Sequence, residues 1–269
     1  MHPVAFRNPF ERTSQSGRNG STPFLDDLKT VAIIPARYHS TRLPAKALAD
    51  IGGRPMVEHV YRRAASARGV DAVVVATDDE RIASVVTGFG GIARMTAASH
   101  RTGTDRIAEI ARDLACDVIV NVQGDEPLVE PGMIEEVVAA LTADTDTPMA
   151  TLRRRIDDAA EYRNPNVVKV VVDAAQRALY FSRAPLPFAR EPAAAFKHIG
   201  LYAYRRDFLL TLTALPQTPL EIAESLEQLR ALEHGFRIRA VDTLHDSIGV
   251  DTPEDLDRVR RQLAVGTSA

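Results

Sequence analysis

Three short segments constrain the fold most: "VAIIP" from Val31, "AVVVAT" from Ala72 and "DVIVNV" from Asp117. Each is apolar at nearly every position. A strand with one wet face alternates apolar and polar residues, so unbroken runs like these belong to strands buried on both faces. Between and after them lie "PMVEHVYRRAASA", "DERIASVVTGF", "GTDRIAEIARDL" and "PGMIEEVVAAL", with apolar residues at helical spacing. Strand and helix in alternation predict an α/β fold: a mostly parallel sheet with helices on both faces.

The rhythm changes after Thr147. "PMATLRRRI" and "NVVKVVVDAAQRALYFSR" read as longer strands, the latter turning near Asp173. "KHIGLYAYRRDFLL" reads as strand then helix. "TPLEIAESLEQLRALEHG" reads as one helix closed by Gly235, "RIRAVDT" as a strand, and "TPEDLDRVRRQL" as a terminal helix capped by Thr252. The simplest organisation is one α/β domain over residues 30–269, with a partly antiparallel insertion between roughly Thr151 and Leu215. Residues 1–29 are rich in Ser, Gly, Asn, Pro and Arg and lack the apolar stretch of a secretory signal, which predicts a disordered extension.

Bulk properties exclude several classes. The 269 residues carry a net charge of -3 and are 45% hydrophobic, which suits a full core and gives no support to nucleic-acid binding. Cys116 is the single cysteine, so an internal disulfide is excluded and a reducing, cytoplasmic compartment is expected. No apolar run has the length of a membrane span.

In parallel sheets, ligands bind beyond the carboxyl ends of the strands. After the first strand come Arg37, Ser40, Arg42 and Lys46; after the second, Thr77, Asp78 and Asp79; then "SHRTGTDR" and "QGDEP". Cations and hydroxyls suit phosphate oxygens. Carboxylates opposite them suit Mg²⁺, which takes oxygen ligands and shares them with substrate phosphates. Together they point to a nucleoside triphosphate and to phosphoryl or nucleotidyl transfer. Neither "GxxxxGK[ST]" nor "GxGxxG" occurs in the first loop. Each piece also has a plainer reading: a solvated basic loop, an acidic turn at "GDEP", and a helix start at Asp251.

The pieces "IIPARYHSTRLPAKAL", "ATDDERI", "SHRTGTDRIAE", "VIVNVQGDEPLV", "NPNVVKVV", "ALYFSRAPLP", "KHIGLYAYRRDFL", "LEQLRALEHG" and "GVDTPEDLDRV", in this order and spacing, resemble the CMP-Kdo synthetases, the 3-deoxy-manno-octulosonate cytidylyltransferases. The resemblance runs from about Thr30 to about Leu263. It implies that CTP and 3-deoxy-manno-octulosonate (Kdo) give CMP-Kdo and pyrophosphate, with Mg²⁺ as cofactor. It also implies a nucleotidyltransferase-type fold, a homodimer formed through the inserted strands, and a product destined for lipopolysaccharide or capsule.

Position by position, the resemblance assigns Arg37, Ser40, Arg42 and Lys46 to the triphosphate. It assigns His100, Thr104 and Arg106 to the nucleotide and Asp125 and Asp251 to the metal. Lys46, Asp125 and Asp251 are thereby the catalytic set. Gln123, Arg183, His198, Tyr202, Glu227 and Gln228 match positions around the sugar acid. The sequence departs from the family pattern at Ala45, where Gly is usual, and at Thr102 and Asp105, where Ser and Glu are usual. Asp79 stands where His is common. Rival readings are a cytidylyltransferase for 8-amino-Kdo or a sialic acid, and a catalytically silent nucleotide-binding module on the same fold.

Overall fold

A computed structural model of the chain describes residues 29–40 and 42–266. The extension expected over 1–29 lies outside the described residues except for Lys29, whose backbone bonds to Asp71, Asp117 and Val118. The chain forms two compact units, one holding the residues up to Pro131 and those from Ile248, the other Gly132–Ser247.

The first unit opens with β1 (Thr30–Ala36), a 3₁₀ turn (Lys46–Leu48), β2 (Asp50–Ile51), β3 (Arg54–Pro55) and α1 (Met56–Ala65). It continues through β4 (Ala72–Thr77), α2 (Glu80–Gly88), β5 (Ile92–Met95), α3 (Gly103–Arg112) and β6 (Val118–Asn121). The strands lie in the order β6-β1-β4-β5, all parallel, with Ile33 opposite Val74 on one side and Asn121 on the other. Val31–Ile34 and Ala72–Ala76 have no exposed surface, as two-sided burial of a parallel sheet requires.

Local chemistry fixes where the helices begin. Asp79 caps α2 by accepting from Arg81 N at 3.0 Å. Thr102 and Asp105 form a reciprocal capping box at α3, so the two departures from the family pattern keep a working helix start. The β2–β3 hairpin, not foreseen from the sequence, turns on Gly52 and Gly53 at φ 61° and 82°. "Gly-Gly" between short extended residues is a hairpin signal, and it was legible.

The second unit holds all but the first residue of α4 (Pro131–Thr142), then β7 (Met149–Ile156), α5 (Ala159–Arg163), β8 (Lys169–Val172) and β9 (Ala178–Ser182). After these come β10 (Ala195–Arg205), α6 (Arg206–Ala214), α7 (Pro219–Glu224), α8 (Gln228–Glu233) and β11 (Ile238–Asp242). β11 pairs with β7 in parallel, while β7–β10, β10–β8 and β8–β9 are antiparallel. The turn expected near Asp173 is there: its Oδ1 accepts from Ala175 N and Arg177 N, both at 2.8 Å. The single helix expected over "TPLEIAESLEQLRALEHG" is two. Ser225 adopts a left-handed conformation, φ 52° and ψ 50°, and breaks it. The two halves are held by the buried Glu221–Arg230 pair, at 2.8 and 2.5 Å.

The last helix, α9 (Pro253–Gly266), belongs to the first unit. Val250, Leu256 and Val259 pack with Ile51 and Met56 in one buried cluster. No described helix is long and apolar enough to cross a membrane.

Candidate active site

The first unit contains a cleft of about 430 Å³ beyond the ends of β1 and β6. Arg37, Ser40, Arg42 and Lys46 line it from the loop after β1, Gly103 and Arg106 from α3, Gln123–Asp125 from the turn after β6, and Asp251 from the approach to α9. The turn after β6 lies hard against β1. A Cβ on Gly124 would fall 2.6 Å from the Pro35 carbonyl oxygen, so a larger residue would push the two segments apart.

Lys46 joins the two carboxylates. Its Nζ donates to Asp125 Oδ2 at 2.6 Å and to Asp251 Oδ1 at 3.1 Å, and Arg42 adds a contact to Asp251 Oδ1 at 3.1 Å. Burial works against the Lys46 charge, but Asp125 and Asp251 outweigh it and hold the ammonium above its ordinary pKa. Asp125 and Asp251 are far apart in sequence. They meet because Val250 N donates to Asp125 O at 2.8 Å, stitching the two segments together one residue before Asp251.

Asp251 is not the cap of α9. Thr252 Oγ1 accepts from Asp255 N at 3.2 Å, and Asp255 Oδ2 accepts from Thr252 N, also at 3.2 Å. That reciprocal pair starts the helix, and the Asp251 carboxylate turns to the cations of the cleft instead.

The donor set fits Mg²⁺ held partly by substrate. Two carboxylates already converge on one cation, and all their donor atoms are hard oxygens. Among the described residues no group of three or more His, Cys, Asp or Glu is arranged for a metal. A magnesium ion there would take one or two carboxylates and complete its shell with phosphate and water, as it commonly does.

Lys46 owes its position to a strained residue. Ala45 has φ 54° and ψ 30°, its N–H donates to Tyr38 O at 3.2 Å, and its carbonyl accepts from Leu48 N at 2.8 Å. A left-handed residue is needed here, which explains why glycine is the usual choice and marks Ala45 as strained. Tyr38 is also covered by the Arg81 guanidinium, 3.3 Å from the ring centroid, which Asp79 grips at 2.9 and 2.6 Å. Asp79 therefore has a structural use of its own where the family pattern often has His.

The remaining nucleotide candidates are placed less directly. Arg106 is buried, with Nη1 on Thr96 Oγ1 at 2.5 Å and Nη2 on Asp78 Oδ2 at 2.9 Å, while its buried Nε finds no acceptor among the described residues. His100 is bonded to Glu109 rather than turned into the cleft, and that bond is the main reason the Glu109 carboxyl lies below its usual range. Thr104 is buried at the start of α3 and does not line the cleft.

Of the sugar-acid candidates, Gln123 is in the first unit, and Arg183, His198, Tyr202, Glu227 and Gln228 are in the second. His198 and Tyr202 flank a bulge in β10, where pairing to β7 shifts register between Ile199 and Tyr202. The Thr151 hydroxyl fills the gap, 3.0 Å from the Ile199 carbonyl and 2.9 Å from that of Leu201. Its single proton goes to a carbonyl, so the His198 Nε2 contact at 3.0 Å is an N–H donated to Thr151. That leaves Nδ1 as an acceptor. Burial pushes the His198 pKa down to about 3, so the ring is neutral near pH 7. Phe181 and Tyr202 pack against it, with centroids at 5.0 and 5.3 Å.

Arg183 is more committed than a ligand-facing arginine need be. Its Nε donates to Glu224 O at 2.8 Å and its Nη1 to Pro165 O at 3.1 Å. Glu227 and Gln228 begin α8, and the buried Gln228 Nε2 has no acceptor among the described residues.

Comparisons with known proteins agree with this geometry. The sequence model of the Cytidylyltransferase family matches residues 31–238. A protein from Geobacter metallireducens named 3-deoxy-manno-octulosonate cytidylyltransferase is 56% identical over 88% of this chain and 98% of its own length. One of the same name from Solibacter usitatus is 52% identical over 87% of this chain and 94% of its own. A solved structure of CMP:2-keto-3-deoxy-manno-octonic acid synthetase complexed with CTP superposes with a TM-score of 0.86 at 47% identity, covering 88% of this chain and 99% of that one. A 4-diphosphocytidyl-2C-methyl-D-erythritol synthase from Anaerococcus prevotii, 13% identical with a TM-score of 0.60, shares the fold alone. The chain belongs to the 3-deoxy-manno-octulosonate cytidylyltransferase family.

Proposed function

We propose that the chain activates Kdo: CTP and Kdo give CMP-Kdo and pyrophosphate. The observation that carries the reading is the meeting of Arg42, Lys46, Asp125 and Asp251, from three separate segments, in one cleft. Arg37, Ser40, Arg42 and Lys46 bind the triphosphate, whose charge is matched by a loop rich in donors. Asp125 and Asp251 would hold Mg²⁺, which neutralises phosphate charge and polarises the α-phosphate when bound. The sugar 2-hydroxyl oxygen forms a bond to the α-phosphorus, the bond from that phosphorus to the bridging oxygen of the β-phosphate breaks, the electron pair leaves with pyrophosphate, and the hydroxyl proton passes to solvent.

In the second unit, Arg183 faces the sugar carboxylate with the part of its guanidinium not bonded to backbone. Neutral His198 offers Nδ1 to a sugar hydroxyl. Gln228 offers its unmatched N–H, since a buried donor without an acceptor is costly until a ligand supplies one. Tyr202 and Glu227 complete the contacts from this unit; Gln123, in the first unit, is assigned to the sugar acid as well. The enzyme works in the cytoplasm as a homodimer, and its product feeds lipopolysaccharide. The test is pyrophosphate release from CTP, Mg²⁺ and Kdo, with 8-amino-Kdo and a sialic acid as parallel substrates. Robust release with Kdo is expected. Release with a sialic acid alone would overturn the assignment of substrate.

A further inference from the structure

One carboxylate in the second unit, well supplied with partners, has no part in the proposed chemistry. Glu224 ends α7, immediately before the left-handed Ser225. Its Oε1 accepts from Ser182 Oγ at 2.6 Å and from Tyr180 OH at 3.4 Å. Its Oε2 accepts from Arg183 N at 2.9 Å, and its own carbonyl accepts from Arg183 Nε at 2.8 Å. Burial opposes its charge, yet these donors keep the carboxyl below its usual pKa.

The other side of Arg183 is held by a buried amine. Lys169 has no exposed surface, and among the described residues no carboxylate bonds to its Nζ. Nζ donates instead to three backbone carbonyls: Asn164 at 2.9 Å, Val167 at 2.6 Å and Arg183 at 2.7 Å. The same loop supplies Pro165 O, which takes Arg183 Nη1 at 3.1 Å. The backbone N–H, backbone carbonyl, Nε and Nη1 of Arg183 are therefore each fixed by a separate bond. Only the Nη2 corner of the guanidinium has no hydrogen bond within the described residues.

An exposed arginine samples many rotamers, and ordering it on ligand binding costs affinity. Here that ordering is complete before any ligand arrives. Glu224 contributes to it directly through its carbonyl, which takes Nε, and indirectly through its carboxylate, which fixes the Arg183 backbone N–H. It also stands three residues before Glu227 and four before Gln228, on the far side of the Ser225 break.

We infer that Glu224 is a positioning residue for the sugar acid. It aims Arg183 at the carboxylate and ties that arginine to the turn that presents Glu227 and Gln228. The inference rests on the assignment of Arg183 to the sugar acid, so the experiment separates the two. Kinetics of pyrophosphate release are measured with Kdo and CTP varied in turn, for wild type, Glu224→Gln, Glu224→Ala, Arg183→Ala and the Glu224→Ala/Arg183→Ala double variant, alongside thermal melts.

Arg183→Ala should raise KM for Kdo by about tenfold or more, the size of a lost charge-assisted hydrogen bond. Glu224→Ala should raise it severalfold with KM for CTP unchanged within about twofold, since it frees the Arg183 backbone N–H and loosens the helix end whose carbonyl holds Arg183 Nε, without removing the arginine. The double variant should be no worse than Arg183→Ala alone, because the glutamate acts through the arginine. Glu224→Gln keeps the shape and serves if the alanine variant folds poorly; it should show the same split at smaller size. A normal KM for Kdo in both Glu224 variants, beside a raised one in Arg183→Ala, overturns the positioning role alone. Equal rises in KM for CTP and Kdo, or additive effects in the double variant, also overturn it. A normal KM for Kdo in Arg183→Ala removes the sugar-acid assignment and the inference with it.

Discussion

Ala45→Gly is expected to make this protein more stable. At φ 54° a residue with a Cβ carries a left-handed penalty of roughly 1–2 kcal/mol. Glycine relieves it but frees the unfolded chain, a cost of about 0.5–1 kcal/mol. The difference favours glycine by about 0.5–1 kcal/mol, because the position can adopt no right-handed alternative while Ala45 N stays on Tyr38 O and Leu48 N on Ala45 O. For a chain of this size that is a rise in melting temperature of about 1–4 °C in the first unit. The two backbone bonds remain, so Lys46 stays in place and KM for CTP should hold within about twofold. Ala45→Val tests the opposite sign, since a β-branched residue fits the left-handed region worst; it should lower the melting temperature and raise KM for CTP. The assay is a thermal melt paired with pyrophosphate release at varied CTP. If Ala45→Gly lowers the melting temperature by several degrees, the Cβ makes a contact worth more than its strain, and the argument fails.

Three further outcomes follow from the structure. Asp251→Asn should leave the melt unchanged, because Thr252 and Asp255 cap α9 without it. Its turnover should fall by about a hundred- to a thousandfold, the loss typical of one electrostatic stabiliser; Asp125→Asn should match it, the double variant adding little. Near-normal turnover at ordinary Mg²⁺ would take Asp251 out of the metal site. Arg230→Met should destabilise the second unit by roughly 3–5 kcal/mol in denaturant melts, since it strands the buried Glu221 charge; a loss below about 1 kcal/mol would refute that. With a folded pKa near 3, His198 stays neutral while the unfolded ring takes up a proton below about 6.5. The unfolded state then binds more protons, so stability is complete above pH 6.5 and drains as pH falls toward 3. His198→Gln should flatten that slope in melts at pH 4 to 7; an unchanged slope would mean the ring protonates in the fold.

The parallel strands, their order along the chain and most helices were legible because burial leaves a strong imprint on composition. "VAIIP" can hardly be anything but a two-sided strand, and "TPEDLDRV" announces its own cap. The loop after β1 was legible as the lining of a cleft because cations follow a buried strand at the edge where parallel sheets open. The break at Ser225 was hidden, since the apolar spacing of "TPLEIAESLEQLRALEHG" runs straight through it and only the Glu221–Arg230 pairing reveals the fold-back. Glu224 was not singled out in the sequence, since nothing local says that Ser182 and Arg183 meet it. That the Asp251 carboxylate turns to Lys46 and Arg42 was also hidden, because a helix start was the plainer local reading of that residue.

The stitch between Val250 and Asp125 bears on how the protein is made. The chain segment it closes contains the whole of Gly132–Ser247, a unit with its own strands and helices. Closing an unstructured loop of that length costs roughly (3/2)RT ln n, several kcal/mol, with no local contact to offset it along the way. A growing polypeptide presents Asp125 long before it presents Asp251, so the second unit can fold while the carboxylate pair is still incomplete. Assembly of the pair waits for the carboxyl-terminal segment to come off the ribosome and dock α9 against Ile51 and Met56. In refolding, nucleotide binding should accordingly recover after the bulk of the helical signal. A chain cut short before Val250 lacks half of its carboxylate pair, however well the rest has folded.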